Sequence, residues 1–141
     1  MTLEALRQKL VAAQVAAGLT ELTVLFDYSS VLNNADKSYP IALWDFDNIT
    51  GTVNFAAPEK FMTINCWCIN DVSPDDDVVA RHKQWDTIEA VLQTYLGFVN
   101  QQTDVTVENI RAMPFEYFPA GLLSPEREMA VRYSVDLKLW C

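Results

Sequence analysis

One histidine, three cysteines and two groups of carboxylates are what this chain offers to catalysis or metal binding. His82 lies between Arg81 and Lys83 among polar positions of a predicted helix, and it reads as a solvated side chain, not a general base. Cys66 and Cys68 fall on the same side of one predicted strand. A structural zinc site draws four ligands from tight turns, so this pair reads as small core hydrophobes. Cys141 has no evident partner. Asp75, Asp76 and Asp77 follow Ser73-Pro74 without the alternation and closing glutamate of a calcium loop. They fit the start of a helix better, with Ser as cap, Pro at the first position and acids in the first turn. Asp45 and Asp47 share a strand face and read as an exposed strand end. No Gly-x-Ser-x-Gly elbow, glycine-rich phosphate loop or His-Glu-x-x-His occurs. No catalytic, cofactor-binding or metal-binding residue is assigned.

The elements that would position such groups can be read from periodicity. Residues 3–17 predict an amphipathic helix, with Thr2 as N-cap, Leu3, Leu6, Leu10 and Ala13 on one face, and Gly18 as the stop. A strand is expected at 22–28, another within 39–46 with Pro40 at its start, and a short one at 53–55. Residues 59–70 predict a stronger strand, with Met62, Ile64, Cys66 and Cys68 on one face and Phe61, Trp67 and Ile69 on the other. A long helix at about 74–99 presents Trp85, Ile88, Leu92, Tyr95 and Val99, with Gly97 weakening or ending its last turn. Val105–Phe118 predicts an irregular strand, disturbed around 109–113 and interrupted by Pro114. From Met129 to Leu139 apolar and polar residues alternate, which predicts one face in the core and one in water. Strands that bunch between helices argue for an α+β fold with a largely antiparallel sheet packed by the long helix. The four tryptophans, 44, 67, 85 and 140, are expected in the core. Leu122-Leu123 lies in a connection, where it either docks a partner or folds back onto the sheet.

A chain of 141 residues makes one structural domain, 1–141. Ten Lys and Arg against 19 Asp and Glu leave a formal charge of -9. No basic cluster stands out, which argues against phosphate-backbone binding and against anionic membranes. The N-terminus shows no secretory signal pattern, and no run approaches the ~20 apolar residues of a membrane span. An odd cysteine count suits a reducing compartment. The expectation is a soluble domain made in the cytoplasm.

The order of elements, with Tyr39-Pro-Ile-Ala-Leu-Trp44 opening a strand, Phe61–Asn70, a long helix, and a finish in Val131-Arg-Tyr-Ser-Val-Asp-Leu-Lys-Leu139, resembles a known family. It is similar to the tail-terminator, tail-completion and head–tail joining proteins of tailed bacteriophages and prophages. The resemblance implies a non-enzymatic virion component of the tail or neck, made in the bacterial host cytoplasm. It also implies a homo-oligomeric ring, commonly six-fold, stacked on tail-tube or neck proteins with DNA passing through an acidic lumen. Leu122 and Leu123 are the residues expected at a subunit or partner interface. Two other readings stay open. One is a small α+β ligand-binding domain or enzyme whose aromatic-lined pocket includes Trp67 and Cys66. The other is an acidic accessory or inhibitor protein.

Overall fold

The computed structural model describes residues 1–27, 39–53, 59–72, 78–112, 116–118 and 127–140. Helix α1 spans Leu3–Ala16. The Thr2 hydroxyl accepts from the Ala5 amide at 3.1 Å, the N-cap bond read from sequence. At the other end Leu19 N–H donates to Gln14 C=O and Gly18 N–H to Val15 C=O, at 3.2 and 3.0 Å. This paired arrangement closes a helix through a left-handed residue, and Gly18 supplies it with φ +69°. Leu6, Leu10 and Ala13 are buried, whereas Leu3, in the first turn, is 48% exposed.

The strands are β1 (Thr23–Leu25), β2 (Ile41–Trp44), β3 (Thr50–Val53), β4 (Glu59–Val72), β5 (Val105–Ala112), β6 (Glu116–Phe118) and β7 (Arg127–Trp140). A 3₁₀ turn at Phe46–Asn48 separates β2 from β3, and helix α2 runs Val78–Val99 between β4 and β5. All seven strands join one sheet with the path β1-β2-β4-β7-β5; β3 pairs with β4, and β6 with β7. The chain is therefore an α+β domain with a mixed sheet. Its backbone is the antiparallel β4–β7 pair, in unbroken register from Glu59↔Trp140 to Val72↔Arg127. On one flank β2 and β3 pair with successive stretches of β4, and on the other β5 and β6 do the same along β7.

The expected order holds, with corrections. The first strand is shorter than 22–28 and lies parallel to β2, an arrangement that the long connection between them permits, since parallel pairing needs a crossover. The short strand forms at 50–53, ahead of the expected 53–55, because Thr50–Val53 finds β4 as partner. The strand expected at 59–70 continues to Val72. In α2 the described residues begin at Val78, so the Ser73–Asp77 cap lies outside them. Gly97 does not end that helix, which continues to Val99. The irregularity in β5 comes earlier than expected, as a register shift between Val107 and Asn109.

Both helices pack on one face of the sheet. Alternation along the strands sends Ile64, Cys66 and Cys68 of β4 and Val131, Tyr133, Val135, Leu137 and Leu139 of β7 into a core shared with Ile88, Leu92, Tyr95, Leu96 and Val99 of α2. A hydrogen-bond relay crosses that core: Trp44 Nε1 donates to Tyr95 Oη at 3.0 Å, and Tyr95 Oη donates to the Leu10 carbonyl at 2.8 Å. Sheet, long helix and N-terminal helix are thereby joined through a single hydroxyl. The opposite face holds a second, smaller cluster of Ile41, Leu43, Trp67, Ile69 and Ala130. This corrects the expectation that the outer face of the last strand lies in water. Ala130 is fully buried in that cluster, and Ser134 is only 9% exposed, with Arg111 bonded over it.

Two expectations test this packing. A Cβ on Gly51 would lie 2.5 Å from the Phe61 carbonyl oxygen, whereas one on Gly97 meets nothing within 4 Å. Gly51→Ala should lower stability by about 1–3 kcal/mol, and Gly97→Ala should raise it by about 0.4–1 kcal/mol, both read by urea denaturation. Tyr95→Phe should cost about 1–3 kcal/mol, because it leaves the buried Trp44 indole N–H without its acceptor; a midpoint that moves at constant m-value would show it.

Candidate functional site

An open concavity lies on the sheet face away from the helices. β3 and β5 flank the same stretch of the β4–β7 pair, and the register sets Thr50, Thr63, Asp136 and Asn109 in one cross-strand row. Phe61, Lys138 and Thr106 occupy the next. The result is an open groove of about 760 Å³, with Thr63, Asp136 and Lys138 on its floor and Thr50, Glu108 and Arg111 toward its sides. Gly51 is needed here because a side chain would strike the backbone of β4.

Asp136, Arg111 and Lys138 in the groove are paired. Arg111 grips Asp136 with both arms, Nη1 to Oδ2 at 2.9 Å and Nη2 to Oδ1 at 3.0 Å. The same Nη2 donates to Ser134 Oγ at 3.1 Å, and Thr63 Oγ1 donates to Asp136 Oδ1 at 2.7 Å. A carboxylate held by a guanidinium fork and a hydroxyl is an acceptor already in use. It is poorly placed to take a proton from a substrate. Lys138 Nζ sits 3.3 Å from Glu59 Oε1, 4.4 Å from the Trp140 ring centre and 5.7 Å from that of Phe61. Further along the face the Arg132 guanidinium lies 4.9 Å from the centre of the Trp67 ring. Cations over aromatic rings hold both partners in place and stiffen the surface they form. Phe61 and Trp140 remain 39% and 37% exposed.

The residues singled out by type are not brought together. His82 is exposed on α2. Asp47 is exposed, but Asp45 is buried, with the Asn48 side-chain amide donating to both its oxygens at 2.9 and 3.2 Å. It closes the 3₁₀ turn and is not an open strand end. Cys66 and Cys68 are buried and free, core residues as expected, and they face the helices. Trp67 faces the other way, so alternation places Cys66 and Trp67 in separate clusters and they do not line one pocket. Trp44 and Trp67 are core residues, Trp85 is half-buried, and Trp140 is a surface residue on the open face. Asp75–Asp77, Leu122, Leu123 and Cys141 lie outside the described residues. No three His, Cys, Asp or Glu side chains converge among the described residues, and no described helix is long and apolar enough to cross a membrane.

Elsewhere the ionisable groups hold the layers together. Glu89 on α2 accepts from Tyr133 Oη at 2.8 Å and from Trp85 Nε1 at 3.2 Å, fastening the long helix to β7. Burial, and then the bond to Glu89, raise the Tyr133 phenol above its ordinary range. Burial likewise raises the Tyr95 phenol and the Cys66 thiol, and it pushes Cys68 up to about 12. Compared with models of known families and with curated proteins, the chain matches none.

Arg111, Asp136, Phe61 and Lys138 were not singled out by their types. Alternation alone would place Phe61 with Thr63, and Asp136 with Lys138, but only the β4–β7 register puts the two pairs side by side.

The raised thiol and phenol values fix the sign of an alkaline effect. The native state keeps these protons more tightly than the unfolded chain, so the stabilisation is complete below the unfolded values, near pH 9 for the thiols and near pH 10 for the phenols, and falls as pH rises above them. For Cys68, between pH 9 and about 12, the loss should be about 1.4 kcal/mol per pH unit. Melting temperature measured from pH 8 to 11 should decline, and Cys68→Ala should make the decline shallower.

Proposed function

We propose that this chain is a non-enzymatic structural protein of a phage or prophage tail or neck, which assembles into a ring that ends the tail or joins it to the head. The observation that carries the reading is that, among the described residues, helices cover one side of the sheet only, with exposed apolar side chains on both sides of the domain. Val15, Val78 and Val79 stand on the helices at 67%, 53% and 61% exposure, while Phe61 and Trp140 stand on the open sheet face. A ring closes through heterologous contacts, in which one patch of each subunit meets a different patch of the next. A domain with separate apolar patches on its two layers suits that requirement.

Two further features support the reading. The order of helix, strands, long helix and strands is the order on which the family resemblance rests. The charge of -9 suits a lumen through which DNA must pass without adhering.

Light scattering coupled to size exclusion, with negative-stain electron microscopy of the same fractions, tests this directly. The expected outcome is annular oligomers of one size, either from the chain alone or when tail tubes are added, since assembly is linked to partner concentration. A strict monomer that also fails to bind the tubes would overturn the proposal.

A further inference from the structure

We draw no further inference here: the strongest candidate, the open groove between β3 and β5 with the exposed Phe61 and Trp140 rings on its sheet face, carries nothing because nothing in the structure shows what covers it.

Discussion

The Tyr95 hydroxyl is the point on which the layers depend. It accepts from the Trp44 indole in the sheet and donates to the Leu10 carbonyl in the N-terminal helix, while its own helix lies between them. All three groups are buried, so each bond is one that water cannot replace, and breaking either would strand a polar atom in the core. The relay therefore selects one arrangement of two helices on one sheet from the many that hydrophobic burial alone would allow. It also places both helices on the same side. The open face, with its groove and its exposed aromatics, is the other half of that choice.

On the open face no described helix covers the side chains. A sheet covered on both sides would bury Phe61 and Trp140 and strip water from Arg111, Lys138 and Asp136. Here these residues keep partial access to water. The ion pairs are worth little as stability, about 1 kcal/mol or less each at such exposure. Their effect is geometric: the guanidinium fork fixes Asp136, and the ammonium fixes two rings. Away from this face, burial keeps the Cys66 and Cys68 thiols protonated.

Much of the helical architecture was legible from local chemistry. Thr2 and Gly18 mark the ends of the first helix because capping involves only neighbours along the chain. The two faces of β4 were legible from strict alternation, which sets Trp67 and Ile69 opposite Ile64, Cys66 and Cys68. The errors came where a partner strand decided the outcome. β3 begins at Thr50 because β4 lies beside it. The last strand reads as half in water, yet its outer face carries Ala130 into a cluster completed by Trp67 and Ile69 of β4 and by Ile41 and Leu43 of β2. Trp140 reads as core by type and is exposed by position.

The amino-acid sequence by itself determined the element types, which residues share a face of β4 and β7, and the acidic balance, because these depend on residues a few positions apart or on simple counting. Tertiary structure alone decided that Arg111 would meet Asp136, 25 residues away, and that Thr63 would meet it from 73 residues away. It also decided that Phe61 and Trp140 would bracket Lys138. Such pairings are set by strand register, and register is settled by the packing of the whole sheet and not by any local stretch of chain.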